Sequence, residues 1–287
     1  MNKSVAMLIA LMACNGSEDI SEYIGDITER ATGNAYGWFK AIKKFPKIDV
    51  VGLTNFSRLF YYFPLQSLDL SHVDTSNVTN MSSMFAASEL RYINISGFNT
   101  SNVTTMSQMF GNCSHLKKIQ GIENFDTSNV TDMGSMFSTS SVNRYYPLDL
   151  SNFDTSNVTN MQAMFYQCHF ETIDISNFNM GKVVKINNIF HLNSQLENLA
   201  FGYDLGKSFV QKTNNFEYYR LYLGYASKLT HDSLMSIING LYDLNLSYDV
   251  ANGGTLYTQN LAIGATNKAK LTAEEIAVAT SKGWTVS

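Results

Sequence analysis

The chain has 287 residues, a formal net charge of −4, 45% hydrophobic and 13% aromatic residues, and three prolines. A chain of this length and composition can bury a long core, which excludes an intrinsically disordered protein. Lysine and arginine are nowhere concentrated into a phosphate-binding stretch, so nucleic-acid binding is not expected.

Residues 1–48 are predicted to form an N-terminal helical cap or a signal-like segment. Met1–Cys14 holds one lysine and a nine-residue apolar run that ends in Leu-Met-Ala directly before Cys14, and so resembles a short lipoprotein export signal. The run is too short to span a bilayer, and no membrane span is expected. Because export signals commonly carry more than one positive charge, a buried helix is favoured, with lipidation of Cys14 as the alternative.

A twelve-residue segment, Asp74–Phe85, recurs almost verbatim at Asn99–Phe110, Asp126–Phe137 and Asp154–Phe165. Alignment on the final aromatic residue extends the series to six units, with spacings of 25, 25, 27, 28 and 25 residues. The aligned residues are Phe60, Phe85, Phe110, Phe137, Phe165 and Phe190. Self-similarity at a fixed period predicts stacked units that share one continuous core.

The repeated segment is predicted to be a short helix over 74–86, and likewise in its counterparts. Its apolar residues fall on one face at the 3.6-residue period: Val78, Met81, Met84 and Phe85. Asp74, Thr75 or Ser76 could cap the free amides of the first turn.

The other part of each unit has the form apolar-x-x-apolar-x-apolar, whose last two apolar residues alternate as in a half-buried strand. The segments are Leu65–Leu70, Leu90–Ile95, Tyr145–Leu150, Phe170–Ile175 and Leu196–Phe201. In the copy at Leu116–Ile119, an extra residue near Gly121 predicts a bulge or loop. A strand plus a short helix in 20–29 residues is the pattern of leucine-rich repeats.

The phrases Phe-Asp-Thr-Ser-Asn-Val-Thr-(Asn/Asp)-Met and Met-Phe, with Leu-Asp-Leu-Ser between them, resemble the BspA-type leucine-rich repeat of bacterial surface proteins and some phage tail proteins. The resemblance covers about 53–201. Leu229–Leu244 and Leu271–Trp284 are also similar to the end segment that often follows such repeats. The resemblance implies display and adhesion, and it carries over no catalytic residue.

We therefore expect an α/β fold, a leucine-rich-repeat-like solenoid of about six 25-residue units over 49–201. The C-terminal module, 202–287, is expected to be an α+β cap with an amphipathic helix in Leu229–Leu244 and a turn at Gly253-Gly254. Thr272 and Glu275 predict a capping box for a final helix that ends at Gly283.

The sequence offers little for catalysis or cofactor binding, so we expect a non-enzyme without a metal or cofactor. The histidines show no zinc-site spacing: His72, His115, His169, His191 and His231. Cys113 and Cys168 lie in units two steps apart, roughly 10 Å if strands stack at about 4.8 Å, which is beyond the reach of a disulfide. We expect both to be unbridged spacers of the apolar stack.

Strand alternation turns one residue set outward, and these positions vary most between units. They are the candidate ligand-binding residues: Asp69, Tyr92, Asn94, Lys118, Asp149 and Asp174. The aspartates are interpreted as a solvated strand face rather than a metal row. The second candidate surface is aromatic: Tyr61, Tyr62, Phe63, Tyr218, Tyr219, Tyr222 and Tyr225.

These patterns predict a non-catalytic attachment or decoration module on a phage particle, in the tail or host-recognition apparatus. Its expected partners are a protein or glycan on a cell surface and other virion proteins, with self-association left open. The alternative is a lipid-anchored adhesin on a bacterial surface, with Cys14 acylated. A third interpretation is an accessory domain of a secreted enzyme.

Overall fold

The computed structural model of the chain describes residues 54–63, 65–142, 146–208, 220–246 and 259–287. The predictions for 1–48, including Cys14, lie outside the described residues. The same holds for the predicted turn at Gly253-Gly254 and for Tyr218 and Tyr219.

Within the described residues, five short parallel strands form one side of the repeated units. They are β1 (Ser67–Asp69), β2 (Tyr92–Asn94), β3 (Lys118–Gln120), β4 (Thr172–Asp174) and β5 (Asn198–Ala200). β1, β2 and β3 pair so that Leu68, Ile93 and Ile119 are in register, and β4 pairs with β5 in the same way. The middle residue of each strand is buried and its neighbours face outward, as the alternation predicted.

The repeated polar segments form a second parallel ladder, built of single bridges. The bridges connect Asn55, Asn80, Thr105, Asp132, Asn160 and Lys185 in chain order. After each bridge, consecutive turns pass through the repeat phenylalanine. We call these turns, residues 81–88 and their counterparts, the turn column.

The helices predicted over 74–86 and its counterparts are wrong, because these segments form turns. The amides alternate between two kinds of acceptor. The Met84 N–H donates to the Met81 carbonyl three residues earlier, at 3.2 Å, whereas the Phe85 N–H donates to the Met109 carbonyl of the next unit, at 3.0 Å. An α-helix needs its bonds four residues back within the same segment.

Left-handed backbone also interrupts any helix in the turn column. Two non-glycine residues of every unit, two positions before and two after the repeat phenylalanine, have positive φ. Around Phe85 these are Ser83 (φ 55°) and Ala87 (φ 56°). Their N–H groups donate to Ser107 and Gly111 of the next unit, both at 2.8 Å. Bonds between units therefore hold a conformation that non-glycine residues seldom adopt.

Aromatic rings run along the interior of the stack. The repeat phenylalanines, Phe60, Phe85, Phe110, Phe137, Phe165 and Phe190, have neighbouring centroids 5.5–5.8 Å apart and interplanar angles of 3–11°. Phe125, Phe153 and Phe178 form a second column at 6.3–6.4 Å. All nine side chains are buried. Apolar burial of this kind is the main favourable term in folding.

The polar side chains of the repeated segment form hydrogen bonds between units. The buried hydroxyls of Thr75, Thr100, Thr127 and Thr155 each donate to a backbone carbonyl of the next unit, at 2.8–3.0 Å. Asp74, predicted as a helix cap, accepts the Ser76 N–H at 2.9 Å and so closes a turn instead. Each of these bonds offsets the free energy that is lost when the threonine hydroxyl is removed from water.

Cys113 and Cys168 are buried and free of disulfides, as predicted. Each thiol also donates to the carbonyl of a repeat phenylalanine in the preceding unit. Cys113 Sγ lies 3.1 Å from Phe85 O, and Cys168 Sγ lies 3.0 Å from Phe137 O. Their interpretation as apolar spacers was therefore incomplete.

Both thiols should react slowly with Ellman's reagent at pH 8 in the native protein and rapidly after denaturation. Burial raises the pKa of the Cys113 thiol to about 11 and that of the Cys168 thiol to about 12, so little reactive thiolate exists at this pH. Labelling followed by peptide mass spectrometry measures each site separately. Rapid native labelling of both cysteines would contradict their position in the core.

The strand predicted over Tyr145–Leu150 is wrong for residues 146–150, which are not a strand. Pro147 stands where Tyr92 and Lys118 begin their strands, and proline has no N–H to donate to a ladder. The irregularity predicted near Gly121 is present: this residue has φ 98° and a 3₁₀ helix, Ile122–Asn124, follows it.

In its described residues, the C-terminal module combines a parallel sheet, in the order β6-β7-β8, with three α-helices. The elements are β6 (Arg220–Tyr222), α1 (His231–Gly240), β7 (Gln259–Ala262), α2 (Ala265–Lys268), α3 (Ala273–Ser281) and β8 (Trp284–Val286), with a 3₁₀ helix at Leu244–Leu246. The predicted capping box of Thr272 and Glu275 is confirmed, and α3 ends before Gly283, whose φ is 87°.

Helix α1 lies along the free edge of β5. Ser233 Oγ accepts the Leu199 N–H and Ser236 Oγ accepts the Phe201 N–H, both at 2.9 Å. Serine hydroxyls thus take the place that the carbonyls of a further strand would occupy. A covered edge cannot pair with another chain.

Candidate recognition surface

The candidate surface is built on the outward side chains of β1, β2 and β3, which we call the outward ribbon: Ser67, Asp69, Tyr92, Asn94, Lys118 and Gln120. Strand register arranges them in two rows. Tyr92 lies between Ser67 and Lys118 in one row, and Asn94 lies between Asp69 and Gln120 in the other. Tyr92 is 43% exposed, so an aromatic ring stands among polar groups.

Four of the six sequence-predicted residues are therefore brought together: Asp69, Tyr92, Asn94 and Lys118. Asp149 lies at the position where the missing strand would end, and Asp174 belongs to the separate β4-β5 sheet. The sequence predicts that all six lie on one outward strand face. That face is interrupted between β3 and β4 because residues 146–150, which include Pro147, form no strand.

The three aspartates have a local structural role. Oδ1 of Asp69, Asp149 and Asp174 accepts the N–H of the serine two residues later, at 2.9–3.0 Å. Hydrogen bonds from Ser71 lower the pKa of Asp69, and hydrogen bonds from Ser151 lower that of Asp149. Both carboxylates stay charged at neutral pH, and each is held in one orientation.

A cavity of about 350 Å³ opens where the strand is missing, and we call it the notch. Its lining residues are Lys118, Ile119, Gln120, Glu123, Val142, Tyr146, Pro147 and Leu148. Tyr146 is 43% exposed, and Lys118 Nζ lies 5.4 Å from the centre of its ring. The Glu123 carboxylate accepts the Gly121 N–H at 3.0 Å, which fixes its orientation. The notch joins the outward ribbon at Lys118 and Gln120.

Tyr146 and Glu123 were not among the sequence-predicted ligand residues. The strand predicted over Tyr145–Leu150 places Tyr146 inside a regular element rather than at a cavity. The signal that could have identified it is Pro147, because proline inside a predicted strand indicates an edge or an irregular segment.

The second candidate surface is divided between two ends of the described stack. Tyr61 and Tyr62 pack edge to face at one end, with ring centroids 4.6 Å apart. Near the other end, the ring centroid of Tyr225 lies 4.8 Å from that of His191 and 5.6 Å from that of Tyr222. The predicted member Phe63 is buried. These groups form two patches rather than one surface.

Within the described ranges, no group of three or more histidine, cysteine, aspartate or glutamate side chains is arranged to hold a metal ion. The helices found in those ranges are all too short or too polar to cross a lipid bilayer.

Two overlapping segments of the chain, residues 33–144 and 112–220, match the family model described as "Mycoplasma protein of unknown function, DUF285". Together the two segments cover well over half of the 287 residues. No curated protein and no solved structure matches the chain significantly. The chain therefore belongs to the DUF285 family, whose description states neither an activity nor a ligand.

Proposed function

We propose that the chain is a non-catalytic attachment module that binds a protein or glycan through the outward ribbon and the notch. One observation carries this proposal. At the buried middle position of β1, β2 and β3 the residues are all aliphatic, Leu68, Ile93 and Ile119, whereas the exposed residues beside them in register are Ser67, Tyr92 and Lys118. Packing in the core explains why the buried residues are all aliphatic. It does not explain why the exposed residues differ, and we attribute their diversity to ligand recognition.

The finer family assignment, to BspA-type repeats, belongs to the same proposal. Membership of DUF285 and the repeated phrase Asp-Thr-Ser-Asn-Val-Thr support it. Repeat arrays commonly bind ligands on the extended surface that stacking creates. A tyrosine among polar side chains is also typical of recognition surfaces.

Replacing both Tyr92 and Lys118 with alanine should reduce attachment to the target cell and leave the melting temperature nearly unchanged. Both side chains are exposed, and exposed substitutions usually shift stability by within about 0.5 kcal/mol. Attachment is measured by counting fluorescently labelled protein on cells, and stability by circular dichroism.

Tyr203→Ala is the matched control, because this tyrosine is 49% exposed and lies outside the outward ribbon and the notch. The control should attach as the wild type does. Undiminished attachment of the double variant, and of a quintuple variant that also replaces Asp69, Asn94 and Gln120, would show that the outward ribbon is only a solvated strand face. The two aromatic patches would then be the better candidates.

Two settings for display are proposed. In the first, the module is part of a phage particle, and variants that fold normally but lose the outward ribbon should be incorporated less well or should bind host cells less well. In the second, Cys14 anchors the module to a bacterial membrane by acylation. The bacterial genus in the family description and the lipoprotein-like sequence before Cys14 favour the second setting.

Intact-mass measurement of the protein from its natural source discriminates these settings. A chain that begins at Cys14 and carries fatty acyl groups supports the anchored adhesin. An unmodified chain in purified particles supports the virion component.

A further inference from the structure

We propose that the notch is a carbohydrate-binding site that holds a neutral sugar unit of a cell-surface glycan. This inference rests on the proposed attachment function and assigns a ligand class and a location to it. The residues that would contact the sugar are Lys118, Gln120, Glu123 and Tyr146.

The size of the notch limits what can enter it. At about 350 Å³ it lies near the lower end of the range for small-molecule sites, roughly 300–1,000 Å³. One or two sugar rings fit such a volume. The interface of a folded protein partner is far larger and flatter, because it needs about 800 Å² on each side.

The lining matches the two chemical faces of a sugar. A pyranose has an apolar face of C–H groups and a rim of hydroxyls that both donate and accept hydrogen bonds. The half-exposed ring of Tyr146 offers a flat surface for the apolar face. Around it, the Lys118 ammonium donates, the Glu123 carboxylate accepts, and the Gln120 amide does both.

The polar groups are also held in place before a ligand arrives. The Gly121 N–H orients the Glu123 carboxylate at 3.0 Å, and the Lys118 ammonium lies 5.4 Å from the centre of the Tyr146 ring. Lys118 and Glu123 carry opposite charges, so the notch has no net charge that would favour an ionised ligand. Preorganised groups reduce the entropy that binding would otherwise lose.

A peptide is the competing occupant, and the notch suits it less well. Extended peptides bind by adding a strand to an exposed edge. At the notch the facing segment contains Pro147, which has no N–H to donate to an added strand. Lys118, Gln120 and Glu123 also place two charges and an amide in the lining, which an apolar anchor residue of a peptide would have to desolvate.

The test uses the full chain on a printed array of glycans with neutral and anionic termini. We expect binding to glycans with neutral termini, and a loss of at least about tenfold in Tyr146→Ala and in Gln120→Ala, equivalent to about 1.4 kcal/mol. Tyr146→Phe keeps the ring and should retain binding within about threefold. Tyr203→Ala should bind as the wild type does, and melting curves verify that all four variants fold.

The possible results separate the inference from the proposed function. Glycan binding that persists in Tyr146→Ala and Gln120→Ala would overturn the assignment to the notch. A second result is a blank array together with cell attachment that protease treatment of the cells abolishes and periodate oxidation of their glycans does not. This result would overturn the assignment of a sugar ligand, whereas the proposed attachment function would stand with a protein as its ligand. A blank array without any cell attachment would overturn both.

Discussion

Replacing Phe110 or Phe137 with alanine is expected to lower the free energy of unfolding by about 3–5 kcal/mol. Both side chains are fully buried, and each ring is stacked between two others. The ring centroid of Phe110 lies 5.5 Å from that of Phe85 and 5.8 Å from that of Phe137. The Phe137 centroid in turn lies 5.7 Å from that of Phe165. Truncation therefore leaves a cavity and removes two ring contacts at once.

Urea denaturation followed by circular dichroism measures this effect, with Tyr92→Ala as the exposed aromatic control. The control should differ from the wild type by within about 0.5 kcal/mol. If Phe110→Ala and Phe137→Ala also remain within about 1 kcal/mol of the wild type, the phenylalanine column does not hold the units together.

Gly240→Ala is expected to destabilise the protein by about 1–3 kcal/mol. Gly240 is the last residue of α1, and a Cβ atom there would lie 2.1 Å from the carbonyl oxygen of Gly202 and 3.0 Å from the Phe201 ring. The backbones of Gly240 and Gly202 cannot separate unless α1 moves away from β5. The bonds from Leu199 and Phe201 to the serines of α1 would then lengthen.

Gly111→Ala is the matched control. Its Cβ would have its nearest contacts at 3.3 Å, and equivalent positions of other units hold Ala86 and Ser138. The control should be neutral or slightly stabilising, because alanine restricts the unfolded chain more than glycine does. Thermal unfolding measures both variants. Equal melting temperatures for Gly240→Ala and the wild type would contradict the close approach of α1 to the last repeat strand.

The positions of buried residues could be predicted from the sequence, whereas the backbone of the repeated segment could not. Val78, Met81 and Met84 are buried as expected. A spacing of three residues fits both a helix and consecutive turns, so the pattern does not distinguish them. The deciding fact is that Ser83 and Ala87 have positive φ, supported by acceptors in the next unit. No local residue preference reveals such a partner.

Elements that depend on local chemistry were predicted better. The capping box of Thr272 and Glu275 and the helix within Leu229–Leu244 are confirmed, because their bonds are formed within a few residues. The notch was missed because it results from one proline interrupting pairing with a strand 29 residues earlier, from Pro147 back to Lys118. The assignment to the leucine-rich-repeat class stays a prediction.

The constant length of the repeated segment that ends in the phenylalanine has a consequence for how such a chain can change over evolutionary time. The stretch from the buried threonine to the repeat phenylalanine has one length in Thr75–Phe85, Thr100–Phe110, Thr127–Phe137 and Thr155–Phe165. Variation in unit length instead falls between the phenylalanine and the outward residues and, in the unit that contains Gly121, also between the outward residues and the next threonine. Added residues can therefore lengthen connections beside the exposed surface without shifting the bonds between units. New binding specificities can arise at the margin of an unaltered scaffold, and the scaffold itself can grow only by whole units.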